Sequence, residues 1–214
     1  IYSKKKLTSH KQSKIEKIIA AGLSIDGVCF PMKHLYNFKG VFVGYLMPKA
    51  EGEKLGTSVF HGEKGMTKFF DSWKRSDLVT LAITILSTIK KIHDLGILIG
   101  DINGLNILVK SPTEVYFVDT DSFQINEYPC PVGTLDFTAP EIQGKDYKYF
   151  LRSVGNENFA IAVLLFKLLM FGESPYAQQG GSDIAHNIST GDFSFPFKGK
   201  VNNKMPKGDW GCFW

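Results

Sequence analysis

Three side chains with oxygen atoms stand beside apolar runs of the sequence. Asp101 and Asn106 lie in "IKKIHDLGILIGDINGLNILV" (89–109), and Asp119 follows the run "VYFV" thirteen residues after Asn106. A polar group in apolar surroundings costs free energy unless it is paired or binds a ligand. Mg²⁺ binds carboxylate and amide oxygens, usually with phosphate oxygens completing its shell. Asn106 and Asp119 are therefore candidate metal ligands, and Asp101 is a candidate acceptor for the proton of an attacking hydroxyl.

The neighbouring elements would bring these residues together. Two strands are predicted at 106–110 and 115–119 around the turn "SPTE", and a hairpin of these strands would place Asn106 and Asp119 at one rim with Asp101 beside them. A long helix with a continuous apolar face is predicted at 76–95, before this segment. A second helix at 157–171 is apolar nearly all round, which predicts a position in the middle of the core.

The first third of the chain predicts a helix and a hairpin. Residues 8–21 carry Ile15, Ile18 and Ile19 at helical spacing, with Thr8 or Ser9 as a cap. The stretch "GVCFPMKHLYNFKGVFVGYLMP" (27–48) is typical of two strands around a turn at 37–40. Residues 49–68 are rich in Gly, Lys and Glu, which predicts a linker or an exposed excursion. Residues 120–155 are predicted to be mostly loop.

Composition excludes several classes of protein. With 214 residues, 43% of them hydrophobic, the chain can bury a large core as one domain or as two lobes. The net charge of +4 is small, and lysines cluster only at 4–6, which argues against a nucleic-acid surface. The cysteines, Cys29, Cys130 and Cys212, are far apart, which favours reduced thiols in a cytoplasmic protein. The longest apolar stretch contains Lys167 and is too short for a membrane span, so no membrane partner is expected.

Three motifs occur in the order and spacing of a known family. "DINGLN" (101–106) matches the D-x-x-x-x-N of the protein-kinase catalytic loop, and "VYFVDTD" (115–121) stands where the metal-binding D-F-G would be. "GTLDFTAPE" (133–141) matches the segment G-T-x-x-Y-x-A-P-E. The chain thus resembles the protein kinase-like superfamily, in particular Ser/Thr protein kinase catalytic domains. "DTDSFQ" and "NFAIAVLLFKLLMFGESPY" resemble, more narrowly, a bacterial branch sometimes fused to helix-hairpin-helix DNA-binding segments.

The resemblance implies an α+β fold with a mainly helical large lobe and a truncated small β lobe. Residues 1–47 would form a partial N-terminal lobe with the C-helix and the last strands, 48–52 the hinge, and 53–214 a truncated C-terminal lobe. The family uses ATP and Mg²⁺ to phosphorylate Ser or Thr of a protein substrate. Nucleic acid would be bound only through other domains of a longer parent chain.

Catalytic roles carry over to matching positions. Asp101 resembles the catalytic base, while Asn106 and Asp119 resemble the Mg²⁺ ligands that hold the nucleotide phosphates. Thr134 matches the threonine beside the catalytic aspartate in kinases that act on Ser and Thr.

Nucleotide-binding roles carry over less directly. Glu16 is the candidate for the C-helix glutamate that pairs with the strand lysine. Met47 is the candidate gatekeeper, and Pro48, Lys49 and Ala50 would form the hinge against adenine, mainly through backbone hydrogen bonds.

The departures from the family pattern are at functional positions. Ile99 and Gly100 replace the His-Arg that precedes the catalytic aspartate, so ordering by an activation-loop phosphate is not expected. Asn103 replaces the lysine that contacts the γ-phosphate, and Thr120 with Asp121 replaces the Phe-Gly of the metal motif.

The glycine-rich loop and the strand lysine are absent, and "IYS" resembles the residues that follow that lysine. We therefore expect a fragment of a longer kinase that is inactive alone. Two alternatives stay open, namely a pseudokinase acting as a nucleotide-binding or docking module, and a small-molecule phosphotransferase. The docking segment "GTLDFTAPE" disfavours the phosphotransferase.

Overall fold

The computed structural model describes residues 1–3, 7–181, 183–196 and 203–206 of the chain. Helices and two small sheets make up this part of the protein. The helices are α1 (Ser9–Ala20), α2 (Gly62–Phe69), α3 (Arg75–Asp94), α4 (Val154–Leu169) and α5 (Ile184–Thr190). The strands are β1 (Lys33–Tyr36), β2 (Phe42–Leu46), β3 (Glu53–Lys54), β4 (Ile107–Ser111) and β5 (Glu114–Phe117).

Both predicted hairpins are confirmed. Strands β1 and β2 pair antiparallel, and the backbone N–H of Tyr2 donates to the carbonyl of Val43 at 2.9 Å, so the first residues lie along β2. The second sheet has the order β3-β4-β5 and is antiparallel throughout, with Ile107 opposite Phe117. This register places the residue before β4, Asn106, at the same end of the sheet as the residues after β5.

The core lies between α3 and α4, as the apolar faces predict. Ile85 and Ile92 of α3 and Leu164 and Leu168 of α4 are fully enclosed. The predicted helices 76–95 and 157–171 are confirmed within a few residues at each end. α4 is less enclosed than its composition predicts, because Leu169 at its end is 39% exposed.

The predicted linker at 49–68 is wrong in part. This segment contains β3, a 3₁₀ turn at Val59–His61 and the helix α2. Leu55 and Val59 are completely buried, and they anchor the segment against the core. Gly65 lies so close to the carbonyl of Ser58 that a Cβ atom there would come within 1.9 Å of its oxygen. The glycine and charged content therefore reflects close packing and a solvated outer face.

Residues 120–155 contain short 3₁₀ turns between irregular stretches, as predicted. The turns are Thr120–Ser122, Leu135–Phe137 and Pro140–Ile142. The side chain of Gln124 pairs with the backbone of Arg152 in both directions: its Nε2 donates to the Arg152 carbonyl at 2.8 Å, and its Oε1 accepts from the Arg152 N–H at 2.7 Å. A side-chain amide thus holds the two ends of the irregular region together.

Two of the three cysteines lie in the described part of the structure. Cys29 and Cys130 are buried free thiols, whereas Cys212 lies outside the described residues. Within the described ranges, no helix has the length and apolar character that a membrane span requires. The division into 1–47, 48–52 and 53–214 stays a prediction, and its last part includes residues 197–202 and 207–214, which lie outside the described part.

Helix α1 carries a buried lysine. The hydroxyl of Thr8 caps the helix by accepting from the N–H of Lys11 at 3.1 Å. Lys14 lies beside Ile15 and Ile18 on the buried face, and its ammonium donates to the carbonyls of Ser122 and Pro129 at 2.9 and 3.0 Å. Burial lowers the pKa of Lys14 from its usual 10.5 to about 8. The folded state therefore holds this proton less tightly than the unfolded chain does.

Replacement of Lys14 by methionine tests this burial. Between pH about 8 and 10.5 the unfolded chain binds more protons at Lys14 than the folded chain, so the contribution of Lys14 to the free energy of unfolding rises with pH. The difference between wild type and Lys14→Met should change by up to roughly 3 kcal/mol across this range. Urea unfolding at several pH values measures it. Lys17→Met, which removes an exposed lysine of the same helix, is the control. Parallel curves for wild type and Lys14→Met would contradict the prediction.

Candidate active site

The loop between α3 and β4 is built around the backbone of Asp101. Its carbonyl accepts hydrogen bonds from the side-chain amides of Asn103 and Asn106 at 3.2 and 3.1 Å. Its carboxylate Oδ1 accepts from the hydroxyl of Thr134 at 2.8 Å. These contacts bring Asp101, Asn106 and Thr134 into one group, and they answer why polar residues interrupt an apolar segment.

Asn103 and Asn106 differ in what remains available to a ligand. Asn103 is 7% exposed, and its amide oxygen accepts from the N–H of Leu105 at 2.8 Å. Both ends of its amide are therefore used inside the loop. In Asn106 the amide nitrogen is engaged by Asp101, so the amide oxygen is the end that can face a cation.

Asp119 lies next to Asn106 because the two strands pair. The N–H of Val118 donates to the carbonyl of Asn106 at 3.0 Å. Asp119 has a left-handed backbone with φ 58°, which non-glycine residues rarely adopt. The N–H and hydroxyl of Ser122 both donate to its carbonyl, at 3.0 and 2.7 Å. The next residue is also fixed, since the hydroxyl of Thr120 donates to the Cys29 carbonyl at 2.6 Å.

Three carboxylates lie close together at this point. Asp119 is exposed at the surface, yet partial desolvation raises the pKa of its carboxyl, and the charges of Asp121 and Asp101 raise it further. Burial would also raise the pKa of Asp121, but the hydroxyls of Tyr2 and Tyr45 and the ammonium of Lys11 outweigh burial and lower it. Asp121 thus has its own donors, whereas Asp119 faces repulsion that a bound cation would relieve.

The donor set fits Mg²⁺ accompanied by phosphates. Among the residues that the structure describes, no group of three or more His, Cys, Asp or Glu side chains could hold a metal ion. Mg²⁺ does not need such a cage, because it typically binds one or two protein oxygens together with waters and substrate phosphates. Asn106 and Asp119 supply an amide oxygen and a carboxylate of this kind.

A buried glutamate holds the loop from below. Glu157 on α4 is 2% exposed, and its two oxygens accept from the N–H groups of Ile99 and Gly100 at 2.9 and 2.7 Å. His93 on α3 lies 2.8 Å from the same carboxylate through Nε2. The backbone immediately before Asp101 is therefore bonded to α4, and α3 contacts the same carboxylate through His93.

Gly100 and Arg152 are packed together on the other side of this loop. Gly100 has φ +76°, and a Cβ atom there would lie 2.3 Å from Cβ of Cys130 and 3.1 Å from Nη1 of Arg152. Arg152 is 5% exposed and donates to the carbonyls of Cys130 and Val132 at 2.8 and 2.6 Å. The guanidinium thus orders the stretch before Thr134 through backbone oxygens.

The fold is similar to a chain in the crystal structure of the yeast RNA Pol II CTD kinase CTDK-1 complex. The TM-score is 0.61, over 88% of this chain and 57% of that chain, with 16% sequence identity. The chain has a protein kinase-like fold. The predicted α+β architecture, with a helical large lobe and a truncated β lobe, is confirmed by this similarity.

Curated relatives of the kinase-like chain are protein kinases by name. Protein kinase YegI of Escherichia coli O157:H7 is 29% identical over 159 residues, which cover 72% of this chain and 24% of YegI. The serine/threonine-protein kinase PSK2 of Saccharomyces cerevisiae is 31% identical over 126 residues, covering 54% of this chain and 11% of PSK2. The chain thus spans about a quarter or less of the length of these relatives. No model of a known protein family matches the sequence.

The kinase-like fold places the predicted hinge between the two sheets. Met47, Pro48 and Lys49 follow β2 and are exposed, and Ala50 is half-buried. Beyond them β3 pairs with β4, directly after Asn106. Residues 47–50 thus connect the small sheet to β3 of the second sheet. Their role as a hinge and their contact with adenine stay predictions.

The structure does not bring Glu16 to this group. The buried face of α1 is set by Lys14, Ile15 and Ile18. Glu16 points to the exposed side and accepts a hydrogen bond from Gln12 on its own helix at 3.0 Å. The side of α1 that contacts the turn after Asp119 carries lysines instead, since Lys11 and Lys14 lie one helical turn apart on this side.

Arg152 and the lysines of α1 have no site role that could be predicted from the sequence. Lys14 and Arg152 bind backbone carbonyls, and such acceptors exist at every residue, so no motif marks them. The sequence contains one indication of Arg152. Gly100 lacks a side chain, and the space beside the loop must then be filled by a side chain from elsewhere in the chain.

Substitution of Gly100 by alanine should be much more harmful than the same change at Gly96. Both glycines have positive φ, but a Cβ at Gly96 would meet nothing within 4 Å, whereas at Gly100 it would overlap Cys130. Gly96→Ala should cost about 1 kcal/mol of unfolding free energy through backbone strain alone. Gly100→Ala should cost about 3 kcal/mol, because overpacking is added. Chemical denaturation of both variants measures this, and equal losses would contradict the packing argument.

Proposed function

We propose that this chain supplies the catalytic loop, the metal ligands and the substrate-docking segment of an ATP- and Mg²⁺-dependent serine/threonine protein kinase. The observation that carries the proposal is the hydrogen bond between the Thr134 hydroxyl and the Asp101 carboxylate, within a loop whose Asn106 is bonded to the same aspartate. The chain covers only part of its relatives, so the activity is that of a longer parent protein.

The proposed chemistry follows from which oxygen of Asp101 is free. Thr134 donates to Oδ1, which orients the carboxylate and leaves Oδ2 to accept the proton of a serine or threonine hydroxyl. The exposed side chains of Val132 and Leu135 flank Thr134 and offer an apolar surface to the substrate backbone. Asp101 thus orients the nucleophile while its own geometry is fixed from behind by the loop.

Asn106 and Asp119 would hold Mg²⁺, which when bound neutralises charge on the phosphates of ATP. Asp119 follows β5 at the same end of the sheet as Asn106, and its backbone is left-handed. Met47, Pro48, Lys49 and Ala50 are proposed to contact adenine, mainly through their backbone. Glu16 is not included here because it is exposed.

The proposed substrate is a protein that presents a serine or threonine. Reduced Cys29 and Cys130 agree with a cytoplasmic location. Contact with nucleic acid is proposed only through other domains of the parent protein.

A second candidate function is a pseudokinase that binds nucleotide or a partner protein. Asn103 favours it. This side chain is neutral, and both ends of its amide are bonded within the loop, so it brings no positive charge to the γ-phosphate. A small-molecule phosphotransferase gains no support of this kind.

Two substitutions in the parent protein separate the metal from the base. Asp119→Asn should abolish the Mg²⁺-dependent part of a nucleotide-induced thermal shift, because a metal ligand is lost. Asp101→Asn should lower the transfer of radiolabelled phosphate from ATP to a protein acceptor by about 10²-fold or more while the shift remains.

Asp94→Asn is the matched control, since Asp94 is an exposed carboxylate at the end of α3 that pairs with the exposed Lys90. It should leave both measurements unchanged. A Mg²⁺-dependent shift without any transfer would favour the pseudokinase, and the absence of both in the parent would remove nucleotide binding from the proposal.

The 214-residue chain alone should bind Mg-ATP weakly and transfer phosphate negligibly. Its sequence contains no G-x-G-x-x-G loop, which in this family covers the phosphates from above. Isothermal titration of the chain and of its parent with Mg-ATP measures the difference. Equal affinities would contradict the prediction, because the 214 residues would then suffice for binding.

A further inference from the structure

The turn after Asp119 carries a buried carboxylate with donors from separate parts of the chain. Asp121 is 4% exposed. It accepts hydrogen bonds from the hydroxyls of Tyr2 and Tyr45, the latter at 2.7 Å, and it pairs with the ammonium of Lys11 at 2.9 Å. A buried carboxylate requires such partners, because leaving it unpaired is costly. The turn is therefore fixed to the first residues, to β2 and to α1 at once.

Helix α1 holds the same turn at a second point. Lys14 follows Lys11 by one helical turn, so both point to the same side. Its ammonium donates to the carbonyl of Ser122, next to Asp121, and to the carbonyl of Pro129. The two lysines thus dock α1 onto the turn through one carboxylate and two carbonyls.

Asp119 depends on this turn for its conformation. Its backbone is left-handed, and its carbonyl is bonded by Ser122. Such sparsely populated backbone conformations persist only where the surroundings hold them. The residues that bond Lys11 and Lys14, namely Asp121 and Ser122, are two and three positions from Asp119, so they provide this hold.

We propose that Lys11 and Asp121 are positioning residues that set Asp119 for Mg²⁺ binding. The statement rests on the proposed function in so far as Asp119 is a metal ligand. The helix provides the cation and the turn provides the anion of this pair, while Glu16 remains on the outer face of α1.

The test compares two lysines of the same helix in the full-length parent protein. Lys11→Met removes the partner of Asp121, and Lys17→Met removes a lysine whose pair with Glu127 is exposed. Lys11→Met should raise the Mg²⁺ concentration at half-maximal nucleotide-induced thermal shift by about ten-fold or more, as expected for the loss of a residue that orients a ligand. Lys11→Arg should restore most of it, and Lys17→Met should not change it.

Hydrogen exchange provides a readout that does not require nucleotide. The Ser122 N–H is bonded to the Asp119 carbonyl, so it reports on the turn directly. Its protection should fall by about ten-fold in Lys11→Met, while amides in the centre of α3 keep theirs. A loss spread equally over the whole protein would indicate a general structural role and overturn the proposal.

Unchanged Mg²⁺ dependence together with unchanged Ser122 protection in Lys11→Met would also overturn it. If Lys11→Met does not fold, Tyr45→Phe decides instead: it removes one donor to Asp121 and should shift both measurements in the same direction by a smaller factor, and no shift refutes the proposal. If the wild-type parent shows no Mg²⁺-dependent shift, the proposed function fails, and exchange at Ser122 alone decides whether Lys11 positions the turn.

Discussion

The bonds of the Glu157 carboxylate determine where the candidate site lies relative to the core. Two backbone N–H groups of the loop and the ring of His93 surround this buried charge. Removal of any of these partners would leave part of a buried charge unpaired, which costs more than a lost surface contact. The two central helices and the loop therefore behave as one unit. Asp101 directly follows Gly100. The packing of α3 against α4 therefore also fixes the position of the candidate base.

The sequence contains enough information for the framework and for the central residues of the site. Helical periodicity predicts α1, α3 and α4, and the pairing of β4 with β5 places Asn106 beside Asp119. The sequence contains less information about the side chains that stabilise this framework. A buried lysine such as Lys14 cannot be told from a solvated lysine by residue type and spacing. Periodicity also does not show that the buried side of α1 includes Lys14. Glu16 lies on the exposed side of this helix. In 49–68, scattered apolar anchors among glycines and charges resemble a linker until their contacts are known.

Buried cations take a prominent part in ordering the stretch between Asp121 and Val132. Lys14 and Arg152 bind its backbone carbonyls, and Lys11 binds its one buried carboxylate. Protein kinases that use an added phosphate for this purpose bring an arginine to a charge that comes and goes. Here Lys14 and Arg152 bind backbone carbonyls, and Lys11 binds the carboxylate of Asp121. All of these acceptors belong to the unmodified chain.

The close contact at Gly100 has a consequence for how this sequence can evolve. An arginine at residue 100 would overlap the side chain of Cys130 and would compete for the space of Arg152. Gly100→Arg alone would therefore destabilise the loop, because its side chain would lack space. Room for an arginine before Asp101 would require further changes at residues 130 and 152. The effect of a substitution at residue 100 is thus epistatic, since it depends on the residues at these two other positions.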